Sequence, residues 1–251
     1  VLKGKTATYG NEFGLDEFLA LCARLDCEPL LPVRLHPALF HPKKIDAFAA
    51  EAGGLVAYCN GDAVAEPAAG LTHWAAVRAR NGRRQPWNVK YFQIGNESWH
   101  YFNQALAKHE LAGAAAKDKA EFYLNALRAY VKAMRAADPE IKIIVDGVTG
   151  AGRWVDQAVM TDPYIRANTD YAALHLYQPW GTDAVKRDGT EVERSKLTEK
   201  EIWNAWVSCP RMNMQTYQSE IPNWPDWFLV RDLGIPLAVT EWNWNGWWRG
   251  K

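Results

Sequence analysis

The sequence is short of the features that mark a specialised class. It has no excess of charge: 29 Lys and Arg balance 29 Asp and Glu, for a net charge of zero over 251 residues. No run of Lys or Arg is longer than two (Lys43-Lys44, Arg83-Arg84). Phosphate backbones select basic stripes, so nucleic acid is not an expected partner. No stretch approaches the roughly 20 consecutive apolar residues that span a bilayer, so no membrane partner is expected either. Cysteine is sparse. Cys22, Cys27, Cys59 and Cys209 form no Cys-x-x-Cys pair and no His/Cys group at zinc spacing, which argues against a disulfide scaffold and a zinc site. They read as buried free thiols. The chain opens Val-Leu-Lys-Gly-Lys, without Met and without a signal-peptide pattern. That start reads as processed, trimmed or internal to a longer product. No repeat and no Gly/Ser linker divides residues 1–251, so one domain is expected.

What is present is an ordinary globular composition, 48% hydrophobic and 23% charged, with one unusual count of 13 Trp. Four of these, Trp242, Trp244, Trp247 and Trp248, fall in the last ten residues. Most Trp fill cores, but a cluster beside carboxylates suits sugar rings, which stack on flat aromatic faces. Five short apolar runs read as strands: 28–34, 89–95, 141–147, 170–177 and 235–241. Their apolarity is continuous rather than alternating, which fits parallel strands covered on both faces. Between them Leu15, Phe18, Leu19, Cys22 and Leu25 keep helical spacing, as do Ala120, Tyr123, Leu124, Leu127, Val131 and Met134. The second helix is expected to start on Asp118 with Glu121 completing a capping box, and to stop at Asp138-Pro139. A third helix is expected over 45–58, and 198–233 reads as partly helical. Residues 60–86 and 178–197 read as irregular loops. The alternation predicts an α/β chain with right-handed crossovers.

Two carboxylates stand at strand ends. Glu97 follows the second strand in GNESW, and Glu241 ends the last strand in TEWN. In a closed parallel sheet both emerge on the rim where (β/α)8 barrels keep their catalytic residues. One such Glu alone is as readily a salt-bridged rim residue. Two facing each other would hold different protonation states, one acid and one nucleophile, which retaining glycoside hydrolysis requires. Asn96 could hydrogen-bond a sugar hydroxyl. His175 and Tyr177 alternate on one strand and so share a face, with a hydroxyl and an imidazole available to the pair. His175 has no partner at ligand spacing, so no metal is expected.

GNESW after a strand, the His175-x-Tyr177 pair and the late TEWN resemble clan A glycoside hydrolases, and within them glycoside hydrolase family 51. The strings NEFGLDEFLALC (11–22), LVAYCN (55–60), PWNVKYFQIGNESW (86–99), DPEIKIIVDG (138–147), DYAALHLY (170–177) and TEWN (240–243) carry the resemblance in the family's order. It implies a (β/α)8 TIM barrel, incomplete here, with strands three to seven present and no β-sandwich domain. It makes residues 1–251 a fragment of a longer catalytic chain. It implies a retaining α-L-arabinofuranosidase acting on plant polysaccharide side chains, without cofactor or metal, in a family where oligomers are common. Glu97 would be the acid/base and Glu241 the nucleophile. Asn96 would bind the glycone, Tyr177 the nucleophile, and His175 and Trp99 would border the sugar. One departure is Arg34-Leu35-His36-Pro37, where relatives commonly carry Asn-x-Gly. The alternatives are an endo-β-1,4-glucanase or xylanase of the same clan and a non-catalytic carbohydrate-binding barrel.

Overall fold

The computed structural model describes residues 12–64, 73–177, 184–187, 190–204 and 233–243. In chain order the elements are α1 (Leu15–Arg24), β1 (Leu30–Val33), α2 (His36–Phe40), α3 (Ile45–Asn60), α4 (Trp74–Arg80), β2 (Tyr91–Ile94), α5 (Phe102–Lys108) and α6 (Ala116–Ala137). Then come β3 (Lys142–Asp146), α7 (Arg153–Met160), α8 (Pro163–Asn168), β4 (Tyr171–Tyr177), β5 (Ala184–Arg187), β6 (Thr190–Glu193) and β7 (Leu237–Asn243). They group into two compact units, Val1–Asn96 with Phe122–Ile143, and Glu97–Glu121 with Ile144–Lys251.

In the first unit β1 pairs parallel with β2, Leu30 opposite Tyr91 and Val33 opposite Ile94. The apolar stripe of α6 supplies much of the packing. Tyr123, Leu124, Leu127, Tyr130, Val131 and Met134 are all buried, at the three- and four-residue steps that keep one helix face together. Each such side chain contributes about 2 kcal/mol of burial. Tyr130 also donates its hydroxyl to the Arg34 carbonyl at 3.0 Å, which fastens the exit of β1. Helix α3 lies close on α6: a Cβ on Gly53 would meet the Ala133 carbonyl oxygen at 2.8 Å. Arg78 is fully buried, and its guanidinium donates to the carbonyls of Tyr58, Gly61, Arg83 and Arg84. A buried cation is costly unless its donors are satisfied, and four carbonyls satisfy this one.

The second unit is built on β3, β4 and β7, paired parallel in that order. Asp146 stands opposite Ala173, and His175 opposite Glu241. Helix α8 starts on Asp162, whose carboxylate accepts from the amides of Tyr164 and Ile165, with Pro163 in the first turn. Strands β5 and β6 form a separate antiparallel hairpin.

Several boundaries differ from the sequence reading. Helix α6 begins at Ala116, because the Ala115 carbonyl already accepts from the amides of Asp118 and Lys119. Asp118 therefore lies in the first turn, where its charge meets the positive end of the helix, and is not the cap. Strand β7 runs two residues past Glu241, because its pairing with β4 continues to Tyr177 opposite Asn243. The two expected loops hold structure of their own, α4 in one and the β5–β6 hairpin in the other. Cys22 and Cys59 are buried free thiols, but Cys27 is exposed. Cys209, Trp244, Trp247 and Trp248 lie outside the described residues. Of the last helical stretch, 199–204 is helix and 205–232 lies outside them.

Candidate active site

The site belongs to the second unit and starts from backbone geometry. Glu97 has φ 49° and ψ 52°, in the left-handed region that a residue with a Cβ adopts at a cost. It opens a single 3-10 turn, Ser98–His100, in which the His100 amide donates to the Glu97 carbonyl at 2.9 Å. The turn is held from below. Asp146, the last residue of β3 and 2% exposed, accepts from the Ser98 amide at 3.1 Å and the Ser98 hydroxyl at 2.5 Å. Burial pushes the Asp146 carboxyl up to about 6, against the opposing pull of the Ser98 hydrogen bonds and of His175. Trp99 then passes so close to Gly150 that a Cβ there would lie 2.6 Å from the Trp99 Cβ. Gly150, at φ 78°, is one position where glycine is required on both counts.

So held, the Glu97 carboxylate meets two imidazoles. His175 Nδ1 lies 3.1 Å from its Oε1, and His100 Nε2 lies 2.9 Å from its Oε2. The other nitrogen of His175 lies 3.5 Å from Oε1 of Glu241. That contact is within ion-pair range, yet Nε2 makes no hydrogen bond among the described residues. His175 is thus a buried ring between two part-exposed carboxylates, with side chains 6%, 29% and 33% exposed. One ligand atom from each of Glu97, His175 and Glu241 lies within 4.8 Å of the others. By distance alone such a trio could also hold a divalent cation. Trp99 stands edge-on to the His175 ring, with centroids 5.5 Å apart and planes at 77°.

Of the residues singled out from the sequence, Glu97, His175, Glu241 and Trp99 come together. Asn96 is exposed and precedes Glu97 in the chain, with its Oδ1 accepting from Gln93 Nε2 at 3.1 Å. The backbone of Tyr177 stands opposite Asn243, and its side chain lies outside the described residues. Sequence reasoning missed His100, Ser98 and Asp146. Asp146 did carry a signal, since it is an acidic residue closing an apolar run, as Glu241 nearly is. His100 and Ser98 had none without the left-handed turn at Glu97.

Residues 3–181 match the family model described as the alpha-L-arabinofuranosidase 1 domain. An alpha-L-arabinofuranosidase C of Emericella nidulans is 31% identical over 179 residues, which cover 71% of this chain and 28% of that protein. An intracellular exo-alpha-L-arabinofuranosidase of Bacteroides ovatus is 26% identical over 240 residues, 95% of this chain and 38% of the relative. The chain thus spans well under half the length of these relatives. A solved family 51 alpha-L-arabinofuranosidase of Bifidobacterium longum superposes with a TM-score of 0.50 at 19% identity, covering 93% of this chain and 38% of that one. The parallel strands and their helices have the fold of an incomplete (β/α) barrel. The chain belongs to the alpha-L-arabinofuranosidase 1 domain family.

Proposed function

We propose that this chain carries the catalytic pair of a retaining α-L-arabinofuranosidase that removes arabinose from plant polysaccharide side chains. The observation behind the reading is the approach of Glu97 and Glu241 on either side of His175, with a carboxylate oxygen of each no more than 4.8 Å apart. A retaining pair stands about 5–5.5 Å apart, whereas an inverting pair leaves about 6.5–9.5 Å for a water. Glu97 protonates the departing oxygen while Glu241 attacks the anomeric carbon and forms a glycosyl ester. Glu97, now a base, takes a proton from water as that water displaces Glu241. A neutral imidazole has one N–H and can donate to only one carboxylate at a time. His175 spans the gap between the two carboxylates, with Nδ1 at Glu97 and Nε2 facing Glu241. Asn96 is assigned a sugar hydroxyl beside the reacting carbon, and Trp99 the wall of the sugar site; the role expected of Tyr177, contact with the nucleophile, falls on a side chain outside the described residues. Residues 1–251 are one part of a longer catalytic chain, a reading supported by the 28% and 38% of the relatives' lengths that they span.

The test is hydrolysis of 4-nitrophenyl α-L-arabinofuranoside by the full-length gene product. Glu97→Ala and Glu241→Ala are each expected to lose about 10³-fold or more in turnover. Azide should rescue both and yield opposite anomers: the α-azide from Glu97→Ala and the β-azide from Glu241→Ala. Sugar binding without turnover in the unmutated protein would instead mark a carbohydrate-binding barrel. A product of inverted configuration would overturn the roles given to the two carboxylates.

A further inference from the structure

We propose that Asp146 is a positioning residue for Glu97, acting through Ser98 to hold the turn that aims the acid/base at the reacting oxygen. This rests on the catalytic reading of Glu97. Asp146 closes β3 and is almost fully removed from solvent, where a carboxylate is expensive to keep. Its Oδ2 takes both the amide and the hydroxyl of Ser98. Ser98 is the residue after Glu97, so these two hydrogen bonds to one oxygen fix the peptide that leaves the left-handed position. The segment following β3 grips the next residue as well, because Gly150 packs directly against Trp99. Asn103 adds a third tie, its amide donating to the Gly150 carbonyl at 2.8 Å.

The carboxyl end of Glu97 is fixed separately. Asp146 stands opposite Ala173 on β4, two residues before His175, whose Nδ1 meets Glu97 Oε1. One pair of adjacent strands therefore clamps Glu97 at its backbone and at its head. A carboxylate whose burial pushes it up to about 6 is a poor choice for stability alone. Its two bonds to the neighbour of the proposed acid give it a different purpose. Two lone-pair directions on one oxygen can receive both Ser98 donors, which an apolar side chain cannot do.

The experiment compares Asp146→Ala, Ser98→Ala and Asp146→Asn in the full-length protein, using aryl arabinofuranosides of graded leaving-group acidity. Asp146→Ala is expected to lower kcat/KM about 10²-fold on poor leaving groups, which need the proton, and less than about tenfold on the 2,4-dinitrophenyl glycoside, which does not. Ser98→Ala should show the same pattern more weakly, with KM nearly unchanged in both. Asp146→Asn keeps an acceptor for the Ser98 amide and should recover most of the loss. A loss equal across the series, in a protein whose Glu97→Ala variant does discriminate between leaving groups, overturns the positioning role alone. If the unmutated protein is inert, the catalytic reading fails, and a crystal structure of Asp146→Ala then decides the rest. Glu97 leaving the left-handed region would support the clamp. Glu97 unmoved, with His175 still in contact, would overturn it.

Discussion

Asp146 makes the pH dependence of folding readable at the level of one residue. Its carboxyl rises from 3.8 to about 6 because burial disfavours the charged form, and the Ser98 bonds and His175 only partly offset this. Between those two values the folded chain holds a proton that the unfolded chain has released. Stability therefore falls as pH rises from about 4 to about 6, and stays lower above that. A shift of about two units corresponds to at most about 3 kcal/mol, an order-of-magnitude ceiling. Asp146→Asn removes the charge and keeps an acceptor. Its melting temperature should exceed that of the unmutated chain at pH 7.5, and the two should converge near pH 4. Thermal melts across that range check it, and a drop at every pH would show the carboxylate to be a net stabiliser. At this scale the sequence made Glu97, His175 and Glu241 legible, because polar groups closing apolar strands need a reason to be there. The part of Ser98 was hidden, since it depends on a positive φ that no local pattern around GNESW announces.

Among the elements, the pairing of β4 with β7 decides where Glu241 goes. Leu174 stands opposite Val239, yet His175 stands opposite Glu241, so Thr240 is an extra residue in β7. A one-residue slip exchanges the faces of a strand, and a bulge uses that slip to re-aim a side chain. Regular pairing would set His175 beside Thr240 and turn Glu241 toward the place of Leu176. The bulge leaves a trace: the Thr240 hydroxyl is buried and has no hydrogen-bond partner among the described residues. Such a hydroxyl costs about 1–3 kcal/mol. Thr240→Val keeps the branched shape that suits a strand and removes the stranded oxygen. It should raise stability by about 1 kcal/mol and leave kcat/KM on the aryl arabinofuranoside within about twofold, as denaturant melts and steady-state rates would read. A large loss of rate with unchanged stability would instead give the hydroxyl a part in the site. The existence and order of the strands could be read from the sequence, because buried parallel strands are continuously apolar. The bulge, the two-residue extension of β7 and the β5–β6 hairpin could not, since register is set by a partner strand distant in sequence.

An incomplete barrel carries a consequence for the molecule as a whole. A closed barrel has no sheet edge, because the last strand pairs with the first. Among the described residues β7 pairs with β4 alone, and on it Val239 is 43% exposed and Trp242 71% exposed. Apolar side chains on an open strand invite another strand to pair, and proteins blunt such edges with charge, lysine above all. Produced as residues 1–251 alone, the chain should therefore self-associate with rising concentration, and net charge does not oppose it, since that is zero. Val239→Lys should shift this association to higher concentration by about tenfold while leaving the secondary structure unchanged, because Val239 is already exposed. Light scattering coupled to size exclusion across a dilution series measures the effect. The same substitution in the full-length protein separates the two causes of association. If further strands cover β7 there, position 239 becomes internal, and a lysine should destabilise the protein and cost activity. If Val239→Lys is harmless in both lengths, β7 is an outer strand in the complete protein too, and the barrel is open by design.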